Sequence, residues 1–169
     1  MQDLKKYKAI SHILIEAGCL KVGEKVAIIY DESTYEVAKY FSETVLKIGG
    51  KLKMARTPES HLHGIEPCKD AVMEMMRSDL IVGLTVTSMA HTQARKNACI
   101  NGARYLSLPE YSLDLLNSDS IFASYKDRKI VVDKVTDRLT KSKYLRVTTK
   151  RGTDITLVTT GRAGNSCPG

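Results

Sequence analysis

Apolar and polar positions alternate along this chain with two different periods. Four short apolar runs have the length of buried strands, and between them apolar residues recur at helical spacing. The four runs are Val26–Tyr30, Leu52–Ala55, Leu80–Leu84 and Tyr105–Leu108. Strands that alternate with helices indicate parallel strands joined by right-handed crossovers. We therefore predict that residues 1–141 form a doubly wound, mainly parallel α/β domain of Rossmann-like architecture, with helices on both faces of the sheet.

The pattern changes near the end of the chain. Tyr144–Thr149 and Ile155–Thr159 alternate apolar and polar residues around a Lys-Arg-Gly-Thr turn, which predicts a β-hairpin. An isolated two-stranded hairpin is marginal in water. Residues 142–169 are therefore expected to be a hairpin and a flexible tail that belong to a second domain.

The net charge of +7 is concentrated in one segment. Residues 1–124 hold 15 basic and 15 acidic groups, whereas residues 125–151 hold ten basic groups and three acidic ones. A basic segment can bind nucleic acid, but this one has no helix-turn-helix pattern and no set of stacking aromatic residues. We expect a solvated helix face or a surface for an acidic partner domain, and no nucleic-acid partner.

Length and composition narrow the class of protein further. No apolar run approaches the ~20 residues that cross a bilayer, and His12 and Glu16 interrupt the first apolar stretch, so it does not form a signal peptide core. We expect a cytoplasmic protein without a membrane partner. The four cysteines show no Cys-x-x-Cys spacing, which argues against a zinc knuckle or a redox pair.

The turn after the third apolar run carries the strongest candidate site. Hydroxyl and basic side chains follow the strand there, where open α/β sheets place ligands. The candidates are Thr87, Ser88, His91, Thr92 and Arg95. A helix starting near His91, capped by Ser88 or Thr87, would offer unpaired N–H groups to a carboxylate or phosphate. The alternative is that the hydroxyls are ordinary caps and His91 an ordinary turn residue.

Two other groups of residues have side chains of the kinds that bind metals or act as nucleophile and base. His61, His63 and Glu66 are types that bind metals, but a further ligand would have to come from elsewhere, and a solvated loop explains them equally well. Ser88 and His91 lack both a Gly-x-Ser-x-Gly elbow and an orienting acid. We assign no catalytic residue and no metal ligand within this chain, and keep Glu66 as a candidate substrate-binding residue.

Five motifs in sequence order resemble the metal-dependent aminopeptidase T family. They are Lys21–Val26 with Tyr30-Asp31-Glu32, Gly64-Ile65-Glu66-Pro67, Thr87–Thr92 with Arg95, Gly102-Ala103-Arg104 through Leu108-Pro109, and Gly152–Leu157 with Gly161-Arg162. Cys68 stands where the family's second proline usually follows Glu66-Pro67. A ring-opening dihydroxypyridine dioxygenase is similar over the same region.

The resemblance implies the amino-terminal domain of such an enzyme. Family members are about twice as long and carry their metal ligands in the carboxyl-terminal half. We therefore expect no cofactor in this chain, zinc or cobalt in a separate half, and little activity from the chain alone. The implied role is to cover the active site of a peptide hydrolase and to help assemble a homodimer, or to bind a carboxyl-terminal metal-binding domain. Two alternatives remain open: the same domain of an iron-dependent ring-opening dioxygenase, or a stand-alone ligand- or protein-binding module.

Overall fold

A computed structural model of the chain describes residues 2–166. The helices are α1 (Gln2–His12), α2 (Tyr35–Ile48), α3 (Lys69–Met76), α4 (Gln93–Ile100) and α5 (Tyr125–Lys141). The strands are β1 (Lys25–Tyr30), β2 (Lys51–Arg56), β3 (Leu80–Leu84), β4 (Arg104–Ser107), β5 (Tyr144–Thr148) and β6 (Asp154–Val158). A π-helical turn at Ile13–Ala17 extends α1, and 3-10 turns cover Leu115–Asn117 and Asp119–Phe122.

The first four strands form one parallel sheet in the order β2-β1-β3-β4. The chain leaves β1 toward β2 on one side and returns to β3 on the other side, so the point where the strand order reverses lies between β1 and β3. In open α/β sheets, the crevice at this point beyond the carboxyl ends of the strands is the usual ligand position. The predicted doubly wound α/β fold is confirmed.

A separate hydrophobic core covers each face of this sheet. On one face, α1 and α2 pack on the strands through a cluster in which Leu14, Ile28 and Phe41 are fully or almost fully buried. On the other face, α3 and α4 pack through a cluster that includes Ile29 and Met75. Strands buried on both faces require continuous apolar runs, which explains why β1 and β3 lack alternation.

The start of α4 differs from the prediction. The helix begins at Gln93 rather than near His91, and its N-cap is Thr92, whose Oγ1 accepts a hydrogen bond from the Arg95 N–H at 3.2 Å. The prediction that Ser88 or Thr87 caps this helix was therefore wrong. The turn after β3 uses more residues than expected before the backbone becomes helical.

The chain divides into two compact units, residues 1–123 and residues 124–169, here called unit 1 and unit 2. The division lies before α5, whereas we expected it after residue 141. Contacts between α5 and the end of the chain account for this. The Gly164 N–H donates to Thr140 Oγ1 at 2.9 Å, and Ser166 Oγ donates to Asp133 at 2.6 Å. Of the predicted flexible tail, residues 167–169 lie outside the described residues.

Unit 2 contains the predicted hairpin, in which β5 and β6 pair antiparallel with Leu145 opposite Leu157 and Val147 opposite Ile155. An ion pair on the other face joins Arg146 to Asp154 through two contacts of 2.7 Å. None of the residues from 124 to 166 is buried. Across residues 2–166, no helix has both the length and the apolar character needed to cross a bilayer.

Candidate functional site at the carboxyl edge of the sheet

Three polar residues lie side by side where β1, β2 and β3 end. Tyr30, the last residue of β1, is in register with both Arg56 and Leu84, so the residues that follow are neighbours. These are Asp31, Thr57 and Thr85, and all three are buried. The edge of the sheet at the point of strand-order reversal therefore carries one carboxylate and two hydroxyls.

Asp31 links two loops through its carboxylate. Its Oδ1 accepts hydrogen bonds from the Thr34 N–H at 3.2 Å and from Thr34 Oγ1 at 2.9 Å, while its Oδ2 accepts from the Val86 N–H at 2.7 Å. The side chain is 1% exposed. A buried carboxylate needs several donors to offset the loss of water, and these supply them. Asp31 therefore fixes the turn after β1 to the turn after β3.

The loop between β2 and α3 is held against the turn after β3. The His63 Nδ1 accepts a hydrogen bond from the Ser88 N–H at 3.0 Å, and the Gly64 N–H donates to the Ser88 carbonyl at 2.9 Å. In the first contact, a ring nitrogen of His63 is the acceptor and the backbone of the turn is the donor. Both contacts are made by the backbone of Ser88.

Glu66, from the same loop, occupies the amino terminus of α4. Its two carboxylate oxygens accept hydrogen bonds from the N–H groups of Gln93 and Ala94, at 2.5 Å and 3.0 Å. These N–H groups have no partner within the helix, and the positive end of the helix dipole favours a negative charge there. The anion position that the sequence predicted at this helix is thus filled by a carboxylate of the protein itself.

A small crevice lies between these loops, with a volume of about 260 Å³ that includes space open to solvent. Its walls are mixed, because hydroxyls and two carboxylates alternate with apolar side chains. They consist of Asp31, Thr57, Pro58, Ser60, Ile65, Glu66, Pro67, Thr85, Thr87 and Met89. Most of that volume is open to solvent, and the enclosed part has room for little more than a water molecule.

Most polar atoms of the crevice are already engaged with the backbone. Thr57 Oγ1 accepts from the Cys68 N–H at 3.1 Å, Thr85 Oγ1 donates to the Thr87 carbonyl at 2.7 Å, and Ser60 Oγ contacts the backbone of Leu62. These bonds hold the walls of the crevice in place. A ligand would meet a preorganised surface whose remaining hydrogen-bonding capacity is the spare lone pairs of hydroxyls and carboxylates.

The structure brings only some of the predicted site residues to this crevice. Thr87 and Glu66 line it. Ser88 contributes its backbone to the loop junction, while its hydroxyl accepts from the Ala90 N–H at 3.2 Å.

His91, Thr92 and Arg95 are not part of the crevice wall. His91 is exposed, Thr92 is 1% exposed and caps α4, and Arg95 donates from Nε to the Ala90 carbonyl at 2.7 Å. His91 thus lies at the surface, and Thr92 and Arg95 bind the backbone around the start of α4.

Among the wall residues that sequence reasoning missed are Asp31, Thr57 and Thr85. Each directly follows one of the strands that meet at the point of reversal. In a parallel sheet, the carboxyl ends of the strands share one edge. Asp31 and Thr85 are the first polar residues after predicted strands, whereas Thr57 follows Arg56, the last residue of β2.

A half-buried tyrosine in β4 packs beside β3. Burial raises the pKa of Tyr105 to about 12, so its phenol is protonated at neutral pH. The hydroxyl lies against the backbone of Gly83 in β3, where a side chain would clash with it. Gly83 is therefore required to leave space for the Tyr105 ring, which packs with Met89 in the same core cluster.

The model of the 2,5-dihydroxypyridine 5,6-dioxygenase family matches residues 10–166, which is nearly the whole chain. The chain belongs to this family. No curated protein matches it. The resemblance noted from the five motifs, to both aminopeptidase T and the dioxygenase, is confirmed.

Two solved structures share the fold. The 2,5-dihydroxypyridine dioxygenase from Pseudomonas putida KT2440 is 14% identical, with a TM-score of 0.72 over 92% of this chain and 47% of its own. Wild-type AmpT from Thermus thermophilus is 8% identical, with a TM-score of 0.54 over 91% of this chain and 59% of its own. The chain thus spans about half the length of these two proteins.

A metal ion does not fit the described part of this family member. Within residues 2–166, no three histidine, cysteine or acidic side chains are arranged to hold one. The densest set in the sequence was His61, His63 and Glu66, but His63 and Glu66 each bind backbone N–H groups of the turn and helix that follow β3. Their ligand atoms are used to position loops.

Proposed function

We propose that this chain is the amino-terminal part of a ring-opening dioxygenase that acts on a dihydroxylated pyridine or a similar single-ring compound. The observation that supports this best is the match of the dioxygenase family model to residues 10–166. The polar residues of the crevice lie at the point of strand-order reversal, where open α/β sheets bind ligands.

In this proposal, unit 1 recognises one side of the substrate. The hydroxyls of Thr57, Thr85 and Thr87 offer hydrogen bonds to ring hydroxyl groups, and Met89 and Ile65 offer apolar contact to the ring. Glu66 and Asp31 hold the surrounding loops and add negative charge to the wall. The chain positions the substrate and carries out no bond-breaking step itself.

We further propose that the metal belongs to a separate half of the enzyme. No metal site fits the described residues, so ligands for iron, which a dioxygenase uses, would come from outside them. Unit 2 would then be the part that contacts this half or a second copy of the chain. Its apolar hairpin face is uncovered, with Val147, Ile155 and Leu157 between 41% and 50% exposed.

The second candidate function is the metal-dependent aminopeptidase that the sequence motifs favoured. It is supported by the shared fold with AmpT over 91% of the chain. In that case zinc or cobalt would lie in the separate half and the substrate would be a peptide. The two functions place the same unit beside different substrates, so substrate binding distinguishes them.

The test is a titration of the isotope-labelled 169-residue chain, observed through its amide NMR signals, with 2,5-dihydroxypyridine and, separately, with the dipeptide Leu-Gly. We expect the pyridine to shift the amides of Thr57, Thr85 and Thr87, and the dipeptide to leave them unchanged. The variant Thr87→Val should weaken the response, whereas Thr148→Val in the hairpin should not. Shifts caused by the dipeptide alone would favour the aminopeptidase, and no shift with either compound would contradict a substrate role for the crevice.

An activity assay complements this titration. We expect the chain alone to show neither ring opening with added iron nor hydrolysis of a leucine chromogenic substrate. Stoichiometric zinc or cobalt in the purified chain, together with such hydrolysis, would overturn the assignment of the metal to a separate half.

A further inference from the structure

A second groove lies at the opposite edge of the sheet from the crevice. It is formed by the amino-terminal ends of β1 and β2 and the end of α3, with a volume of about 760 Å³ that includes space open to solvent. Four cationic side chains line it, Lys25, Lys51, Lys53 and Arg77, and the one carboxylate in its wall is that of Glu74. Such a charge balance favours an anion.

The three lysines project from the same face of neighbouring strands. Lys25 and Lys51 are direct partners in the parallel pairing of β1 with β2, and Lys53 lies two residues further along β2. Like charges placed opposite each other across strands destabilise a sheet. The sheet therefore carries a local repulsion that a bound anion would relieve.

Protection of a sheet edge explains only part of this arrangement. Lysines on an edge strand such as β2 prevent it from pairing with another chain. Lys25, however, lies on β1, which has a neighbour on both sides, and Arg77 caps the end of α3. Another chain cannot pair with the sheet at either position. Protection of the edge therefore does not explain the positive charges of Lys25 and Arg77.

No carboxylate of the described residues neutralises these four cations. Among residues 2–166, none of the four takes part in an ion pair, whereas Arg104 at the same edge of the sheet is paired with Glu24 at 2.6 Å. The nearby Asp79 carboxylate accepts a hydrogen bond from the backbone N–H of Lys25 at 2.7 Å. It is thus directed to the backbone at the start of β1.

We propose that this groove binds a small polyanion that carries at least two phosphate or carboxylate groups. Neighbouring strands are ~4.8 Å apart and alternate residues along a strand are ~6.6 Å apart, so the lysines present their charges over more than one anionic centre. A multivalent ligand contacts several of the four cationic side chains at once, whereas a monovalent anion contacts only one or two of them. The proposal concerns a site separate from the crevice and does not depend on its function.

The test compares anions at constant ionic strength on the 169-residue chain. We expect pyrophosphate or citrate to shift the amide NMR signals of Lys25, Lys51, Lys53 and Arg77 with a Kd below ~1 mM, and acetate to bind at least tenfold more weakly. A preference for pyrophosphate over citrate would identify phosphate groups, and the reverse would identify carboxylates. Equal, weak effects of all three anions would overturn the proposal.

Variants provide an independent readout. The double variant Lys51→Gln, Lys53→Gln should weaken pyrophosphate binding at least tenfold, while Lys96→Gln, which removes a cation from α4, should change it less than twofold. In buffer without multivalent anions, Lys51→Gln should raise the Tm because it removes the repulsion from Lys25. A loss of binding in Lys96→Gln as large as in the double variant would show a general charge effect and contradict a site.

Discussion

Units 1 and 2 both contain short apolar strands, but other parts of the protein bury these strands only in unit 1. In unit 1, Ile28 and Ile29 of β1 face opposite sides of the sheet and both are fully buried, because helices pack on each side. In unit 2, Val147 and Ile155 are cross-strand partners that remain 41% and 50% exposed. The same residue types therefore stabilise one unit and remain largely uncovered in the other.

Charge follows the same division. Unit 1 contains 15 basic and 15 acidic side chains, and unit 2 contains 11 basic and 4 acidic ones, so unit 2 carries the whole net charge of +7. Unit 1 has the core and the balanced charge of a domain that folds alone. Exposed aliphatic side chains with excess positive charge are typical of a surface that meets a partner. We infer that unit 2 reaches its full stability only when another surface covers it.

The largest expected effect comes from a matched pair of strand isoleucines. Ile28→Ala should lower the free energy of unfolding by about 3–4 kcal/mol, because it leaves a cavity in a fully buried position. Ile155→Ala should lower it by less than about 0.5 kcal/mol, because the side chain is half exposed. Urea unfolding of both variants measures the difference. Equal losses would show that unit 2 has a core of its own.

A matched pair of aspartates gives the next effect. Asp31→Ala should destabilise unit 1 by about 3 kcal/mol, because it leaves the Val86 and Thr34 N–H groups without their acceptor. Asp154→Ala removes only an exposed ion pair with Arg146, and it should leave the unfolding of unit 1 unchanged. Thermal unfolding monitored by circular dichroism tests this pair. A small effect at Asp31 would mean that water replaces the carboxylate.

The cap at the start of α4 gives a smaller effect. Glu66→Ala should cost about 1 kcal/mol, since two N–H groups at the positive end of the helix lose their acceptor. Glu16→Ala is the control, because Glu16 is an exposed residue near the end of the turn that extends α1. Urea unfolding provides the free energies, and faster hydrogen exchange at Gln93 and Ala94 in Glu66→Ala would locate the loss. No difference between the two variants would rule out the cap as a stabilising contact.

The smallest effect concerns pH. Hydrogen bonds from the Arg104 guanidinium lower the pKa of Glu24 from its ordinary value of 4.5. A lowered pKa in the folded state stabilises unit 1 above about pH 4.5, and this contribution is lost as the pH falls through the lowered value. The variant Arg104→Gln should therefore lose less stability than the unchanged chain between pH 5 and 3. If the urea midpoints of the variant and of the unchanged chain fall equally over this range, the stabilising contact between Glu24 and Arg104 is contradicted.

The main features of the fold could be predicted from local sequence. Apolar runs and helical spacing identify the strands and helices of unit 1. Within each element, the positions of the apolar residues indicate which side of it is buried. The contacts that build the site join distant positions: Glu66 binds Gln93, and Asp31 binds Val86. Such contacts depend on loop conformations that local spacing does not encode.

The account's central claim is that unit 1 is stable alone and unit 2 depends on a partner surface. Hydrogen exchange of the dilute 169-residue chain, shown to be monomeric by light scattering, tests it most directly. We predict that amides of β1 and β3 exchange only on global unfolding, and that amides of β5 and β6 exchange at least ~1,000-fold faster. Equally strong protection of Val147 and Ile28 in the monomer would show that unit 2 stabilises its own hairpin, and would contradict the claim.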